Sequence, residues 1–398
     1  MDITIYPNKL KGTINAIPSK SQAHRLLICA AFADKETILI CPQTNKDIEA
    51  TVECLKALGS DIRRTQDGYC ICPITTAAVQ TTLPCGESGS TLRFMLPIVG
   101  ALGIDATFLL EGRLPQRPLS PLWEEMERMG CTLSRPTEKT IRCTGKLHSG
   151  SYSIDGSVSS QYITGLLFAM ALMDGHRDLT ITGKLESKPY VDMTLYAMSL
   201  FGVRADTLSF DGACDLHTPG QIHVEGDWSN AAFFWAANNL NCEISILGLD
   251  ENSKQGDRSI IDCITNLSRN CQISAANIPD LIPILSVVAA ANHGATFTDV
   301  QRLRLKESDR VASVRAMLKA LGIHSDETSD TLTIYPGTMI GGTVDSVNDH
   351  RIAMSAAIAA TIAEGPVTII GAQCVNKSYP SFWEEYGNLG GTYEQHLR

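Results

Sequence analysis

Six times along this chain a short polar cluster runs straight into a stretch rich in Ala, Leu and Ile. The six are PSKSQAHRLLICAA around Ser21, GESGSTLRFMLPIV around Ser88, SVSSQYITGLLFAM around Ser160, GDWSNAAFFWAA around Ser229, IPDLIPILSVVAA around Asp280 and NDHRIAMSAAIAA around Asp349. The interval is about seventy residues, except for a shorter one between Ser229 and Asp280. A fixed period of this kind marks a repeated supersecondary unit. The apolar stretches are hydrophobic nearly all round, so they read as helices inside a domain and not on its surface. A second series runs in phase: Leu58-Gly59, Met129-Gly130, Phe201-Gly202, Leu321-Gly322 and Leu389-Gly390 each end an amphipathic pattern and lead into a short strand. Glycine there is the left-handed cap that stops a helix. The member near Asn270-Cys271-Gln272-Ile273 lacks the glycine, and its unit is the short one. Each unit reads as buried helix, strand, amphipathic helix, strands. At 398 residues the chain is too long for one ordinary core, and two bodies of three units fit it.

Composition narrows the function. A hydrophobic content of 44% with 19% charged residues describes a soluble enzyme-like protein. The N-terminus has no basic segment followed by an apolar core, and no apolar run is long enough to span a bilayer, so a cytoplasmic protein is expected. The 13 cysteines are scattered and lie mostly in apolar helical stretches (Cys29, Cys54, Cys263), as reduced buried cysteines do. Cys70-Ile71-Cys72 is too tight for a zinc knuckle and has no second pair, so neither a metal nor a cofactor is expected. A net charge of −10 argues against general attraction to nucleic acid or an anionic membrane. An anion site must be built locally, from Arg, Lys and helix ends.

The first polar cluster, Pro18-Ser19-Lys20-Ser21-Gln22-Ala23-His24-Arg25, has that composition. A helix start carries unpaired N–H groups and the positive end of the macrodipole. Two cations there are locally unfavourable unless an anion binds, so the conflict between capping rule and sequence points to function. The competing reading is a Ser-capped surface helix whose basic residues snorkel. His24 reads as structural.

With Gln116-Arg117-Pro118, Gly156-Ser-Val-Ser-Ser-Gln161, Ser187-Lys-Pro-Tyr190, Pro279-Asp280, Leu305-Lys-Glu-Ser-Asp-Arg310, Asn348-Asp-His-Arg351 and Lys377, the opening cluster completes eight motifs in order along the chain. In these motifs the sequence resembles the 5-enolpyruvylshikimate-3-phosphate synthase (3-phosphoshikimate 1-carboxyvinyltransferase) family of enolpyruvyl transferases. The resemblance implies an α/β fold of two similar globular domains, each of three βαβαββ-like repeats with buried helices, an inside-out α/β barrel, with the ligand cleft between them. It places one domain at 13–225 and the other at 1–12 with 226–398. It implies transfer of the enolpyruvyl group of phosphoenolpyruvate to the 5-hydroxyl of shikimate 3-phosphate, by a monomer acting on small molecules.

By the same resemblance Lys20, Arg117, Gln161, Arg310, Arg351 and Lys377, with backbone at Gly89, would hold phosphoenolpyruvate. Ser21, Arg25, Ser159, Ser160, Ser187, Tyr190, Asp280 and Lys306 would hold shikimate 3-phosphate. Arg suits phosphates and carboxylates because its planar fork pairs with them bidentately. Asp280 is expected to take the hydroxyl proton, against the plainer reading of a helix cap. Glu307 is expected to exchange a proton at the methylene carbon, with Lys20 as the third candidate; cations around a carboxylate lower its pKa and make it a poorer acid. Asp349 and His350 read as orienters of Arg351, with a helix-start role for Asp349 equally open. Some positions depart from the family: Glu87 stands where Asn is usual, Ser90 replaces Thr, and Arg302 replaces a residue that is Asn in some members. In the family glyphosate competes with phosphoenolpyruvate, and a methyl at Gly89 would shorten the inhibitor's pocket. The sister transferase acting on UDP-N-acetylglucosamine is the nearest rival, but Cys131 and Cys143 lack its reactive-loop context. An RNA-binding relative is disfavoured by the charge and the few aromatics.

Overall fold

The computed structural model describes residues 1–204 and 208–396. They divide into two compact units, Pro18–Glu225 and Met1–Ile17 with Gly226–Arg398, each around its own hydrophobic core. The first division falls at Ile17 and not at residue 12, because strand Lys11–Asn15 runs parallel to Glu243–Leu247 and Ala16 donates its amide to Leu247. Residues 13–17 therefore belong with the C-terminal unit.

In Pro18–Glu225 the helices are α1 (Lys20–Ala31), α2 (Lys46–Leu58), α3 (Gly89–Leu102), α4 (Leu122–Arg128), α5 (Ser160–Ala171) and α6 (Lys188–Leu200). Helices α1, α3 and α5 are buried over nearly their whole length; α3 and α5 are apolar nearly all round, whereas α1 also buries Gln22, His24 and Arg25 in its first half. Helix α3 packs on α5, and α6 packs on both α1 and α5. Three small sheets, each mixing parallel and antiparallel pairs, lie with them: 221–223/37–40/68–72/61–64, 80–86/105–110/140–145/131–137 and 150–155/176–182/209–211. Helix α2 shows how the second series ends. Gly59 takes φ 115° and returns its amide to Leu55 and Lys56 carbonyls, and a Cβ there would lie 2.7 Å from the Thr76 carbonyl oxygen.

The other unit holds α7 (Trp228–Asn239), α8 (Ile260–Asn266), α9 (Ile282–Ala291), α10 (Arg310–Ala320), α11 (His350–Ala360) and α12 (Phe382–Asn388). Helices α9 and α11 are the most thoroughly buried, and they pack on each other and on α7. The first strand of the chain, Asp2–Tyr6, lies between Val367–Ile370 and Thr392–His396, in one of this unit's two four-stranded sheets. No helix among the described residues is long and apolar enough to cross a membrane.

Candidate active site

In Pro18–Glu225 the predicted residues gather at helix N-termini. Ser19 caps α1 by accepting from the Gln22 amide, and Lys20 and Ser21 follow on the first turn. The dipole conflict at Lys20 is eased by Asp47, at the start of α2, whose carboxylate lies 2.8 Å from Lys20 Nζ. Arg25 is 2% exposed and ties three helices together. Its Nε donates to Thr194 Oγ1 at 2.8 Å, Nη1 to the Ser21 carbonyl at 2.6 Å, and Nη2 to the Tyr190 carbonyl at 3.0 Å. All these acceptors are neutral, and among the described residues no carboxylate pairs with Arg25. Burial lowers its pKa to about 10. A buried guanidinium without a counter-ion favours a bound anion beside it.

Ser88 caps α3 through the Thr91 amide, which brings Gly89 to the start of the helix. A Cβ on Gly89 would lie 2.6 Å from Arg93 Nη1 and 2.7 Å from Arg117 Nη1, so the absent side chain is what admits both guanidiniums. Arg93, buried, donates to Gln161 Oε1 at 2.9 Å and to the Pro118 carbonyl at 3.1 Å. Gln161 Nε2 donates to Ser90 Oγ at 2.9 Å, so the side-chain amide is held from both ends. Ser159 caps α5 through the Gln161 amide, with Ser160 buried behind it. Ser187, at the start of α6, is buried with φ 55°, a left-handed conformation costly for a residue with a side chain. Tyr190 follows one turn on. The Glu87 carboxylate lies over Gly112, where an added Cβ would collide with it. His24 is buried, its Nδ1 lies 2.7 Å from Thr51 Oγ1, and its ring meets Phe94 edge-on.

In the other unit Asp280 is not the helix cap; Leu281 holds that position, and the Asp280 carboxylate turns to cations instead. It pairs closely with Arg310 Nη1, lies 3.4 Å from Arg351 Nη2 and 3.9 Å from Lys306 Nζ. Burial alone would raise this carboxyl, but Arg351, Lys306 and Arg310 outweigh burial and hold it well below the usual range. Arg310, 1% exposed, spends each nitrogen on a different carboxylate: Nη1 on Asp280, Nη2 on Glu307 at 2.6 Å and Nε on Asp349 at 3.0 Å. Asp349 takes the helix-start position, capping α11 through the Arg351 amide, and its carboxylate also accepts from Arg310 and from Ser308 Oγ. Arg351 Nη2 donates to Ser229 Oγ at 2.6 Å, and Nη1 to the Asp280 carbonyl at 3.3 Å. Lys377 Nζ donates to the Asn348 carbonyl at 2.9 Å, at a turn where Val347 and Asn348 both have positive φ. Burial lowers the Lys306 pKa to about 8, with Arg310 and Arg302 adding to the effect against Asp280.

The motif reading missed Asp47 and Asp257. Asp257 is 3% exposed, and its Oδ1 has no hydrogen-bond partner among the described residues. Burial, and after it the Asp280 charge, push its carboxyl up to about 7, and Ser229 links it to Arg351. The sequence gives no signal for it, since one acid in a polar turn after Gly256 resembles any surface turn. Asp47 carries only the signal of a first-turn acid, which its own helix already accounts for.

Fold and sequence together describe a mixed α/β protein in which many of the motif residues stand at helix starts and several are cationic. A family model described as EPSP synthase (3-phosphoshikimate 1-carboxyvinyltransferase) matches residues 5–277 and 268–386. A 3-phosphoshikimate 1-carboxyvinyltransferase of Clostridium kluyveri is 36% identical over 99% of this chain and 98% of its own length. One of Clostridium perfringens is 37% identical over 98% of each. In fold the chain is similar to an EPSP synthase from Acinetobacter baumannii, with a TM-score of 0.80 at 23% identity over 99% of this chain and 100% of the other. It is also similar to the enolpyruvyl transferase NikO from Streptomyces tendae, with a TM-score of 0.76 at 17% identity over 100% and 99%. The chain belongs to the EPSP synthase family and is an enolpyruvyl transferase of the shikimate pathway.

Proposed function

We propose that this chain joins the enolpyruvyl group of phosphoenolpyruvate to the 5-hydroxyl of shikimate 3-phosphate and releases phosphate, with the residues described above dividing the work. Lys20, Arg117, Gln161, Arg310, Arg351 and Lys377 hold phosphoenolpyruvate beside the open backbone of Gly89. Ser21, Arg25, Ser159, Ser160, Ser187, Tyr190, Asp280 and Lys306 hold shikimate 3-phosphate. In the addition step the hydroxyl oxygen bonds to the central carbon of phosphoenolpyruvate, its proton goes to Asp280, and a proton from Glu307 or Lys20 reaches the methylene carbon. In the elimination step phosphate leaves as a proton returns from the new methyl group, restoring the double bond. The enzyme works as a cytoplasmic monomer with the two units as three-repeat domains and no cofactor.

The observation that carries this reading is the carboxylate shell of Arg310, in which Asp280, Glu307 and Asp349 each occupy one nitrogen. Without substrate the cations are neutralised by the protein's own carboxylates. A phosphate or carboxylate that takes Arg310, Arg351 or Lys306 strips Asp280 of the charges that hold its pKa down, so substrate binding itself raises the basicity of the group that must accept the hydroxyl proton. A phosphate-release assay tests the reading. Release is expected with phosphoenolpyruvate plus shikimate 3-phosphate, and none with UDP-N-acetylglucosamine in its place; the reverse would assign the chain to the sister transferase. Asp280→Asn should lose turnover while keeping phosphoenolpyruvate affinity, and Lys20→Met should lose both. Wild-type turnover in Asp280→Asn would move the base to Glu307.

A further inference from the structure

A second cluster lies on the sheet formed by 37–40, 68–72 and 61–64, apart from every residue assigned above. Antiparallel pairing sets Ile38 and Arg63 on either side of Cys70, and Asp61 beside Cys72. Along a strand successive side chains alternate, so Tyr69 and Ile71 enter the core with Leu39 and Ile62, while Cys70 and Cys72 turn together to the opposite face. Glu36, one residue before the first of these strands, reaches the same face. Its carboxylate and the two sulfurs lie within 4.8 Å of one another, the one such group of His, Cys, Asp or Glu among the described residues.

The spacing and the charges both suit a cation. Cys72 Sγ lies 3.5 Å from Glu36 Oε2. Tetrahedral zinc with Zn–S of about 2.3 Å and Zn–O of about 2.1 Å has S···O edges of roughly 3.6 Å and S···S edges of roughly 3.8 Å. One guanidinium nitrogen, Arg63 Nη2, is 3.8 Å from each sulfur and 3.7 Å from Glu36 Oε2, so all three donors already converge on a positive charge. The Arg63 side chain is 62% exposed and bound otherwise only to Asp61 at 3.6 Å among the described residues, so it can swing out. The cysteine spacing alone had suggested no metal, because a zinc knuckle needs a second cysteine pair. The sheet supplies the missing donor from a neighbouring strand.

We propose that Cys70, Cys72 and Glu36 form a surface site for a thiophilic divalent ion of the zinc type, with solvent in the fourth position. Binding displaces two thiol protons to the buffer and releases Arg63. The ion pins the 68–72 strand to the chain entering 37–40, and takes no part in enolpyruvyl transfer.

Cobalt(II) titration of the reduced full chain, kept in a phosphine reductant, tests the site. One equivalent should give thiolate-to-cobalt charge-transfer absorption with the visible bands of a tetrahedral ion, and zinc should bleach them. Cys70→Ser and Cys72→Ser should each abolish the bands. Glu36→Gln should weaken binding by about tenfold or more, the loss that even an outer-shell partner causes. Arg63→Ala should tighten binding, since it removes the competing cation. Enolpyruvyl transfer should be unchanged in all four variants, which shows that they fold. Absence of tetrahedral bands at one equivalent would overturn the proposal, as would unaltered bands in the Cys70→Ser, Cys72→Ser double variant.

Discussion

Asp257 and Lys306 are carried by their surroundings away from the pKa values of their types, and both shifts can be measured. For Asp257 the folded-state pKa near 7 lies above the ordinary 3.8. Between those values the folded protein keeps a proton that the unfolded chain has lost, so stability falls as pH rises through that window. Asp257→Asn removes the term. Its stability relative to wild type, read from thermal melts, should climb from about pH 4 to about pH 7 and then level off, by on the order of 2 kcal/mol after discounting for the Asp280 charge. A difference independent of pH in thermal melts would show that Asp257 is ionised throughout. For Lys306 the direction is opposite. With a free-enzyme pKa near 8 it loses its charge as pH rises past that point, and an anion beside it would restore the proton. The kcat/KM profile should therefore fall above about pH 8 while kcat stays flat, and Lys306→Arg should move the fall to higher pH. Equal falls in kcat and kcat/KM would assign the titration to another group. Residue types at the site were legible from the motifs, whereas these shifts were not. They depend first on burial, and then on Asp280, distant in the sequence from Asp257 and Lys306, lying close enough to act on both.

At the scale of elements, the sequence showed where helices begin better than what their first residues do. The buried, mainly apolar helices α1, α3, α5, α9 and α11 follow from their apolar runs, and the stop at Gly59 from the left-handed cap that glycine allows. The pairing of Lys20 with Asp47 did not, because it needs α2 laid beside α1. The same holds at the start of α3. The pocket-length account expects a methyl at Gly89 to cost glyphosate and spare phosphoenolpyruvate. The structure sets that methyl against Arg93 and Arg117, and Arg117 is assigned to the substrate itself. Guanidinium ends can shift by tenths of an ångström, so Gly89→Ala should fold, but it should also raise KM for phosphoenolpyruvate severalfold, with kcat less affected. Steady-state kinetics decide this: an unchanged KM with weakened glyphosate inhibition would restore the pocket-length account.

Over the whole molecule, the sequence period foretold two bodies but not where the first crossing falls, since the parallel pairing of Lys11–Asn15 with Glu243–Leu247 joins segments more than two hundred residues apart. The assignment of substrates has a consequence at this scale. Shikimate 3-phosphate is assigned Ser21, Arg25, Ser159, Ser160, Ser187 and Tyr190 from one unit, and Asp280 and Lys306 from the other. Phosphoenolpyruvate is assigned Lys20, Arg117 and Gln161 from the first, and Arg310, Arg351 and Lys377 from the second. At about a hundred times Kd a ligand that binds only the folded state stabilises it by about 2.7 kcal/mol, enough to slow amide exchange through global opening roughly a hundredfold. Hydrogen exchange with shikimate 3-phosphate added should therefore slow in peptides covering the start of α1 and of α5 and, in the same experiment, in those covering 278–284 and 305–312. Peptides over 37–40 and 68–72, which carry the proposed metal cluster, should show only the global effect. Protection confined to one unit would break the shared assignment, and would give shikimate 3-phosphate to that unit's residues alone.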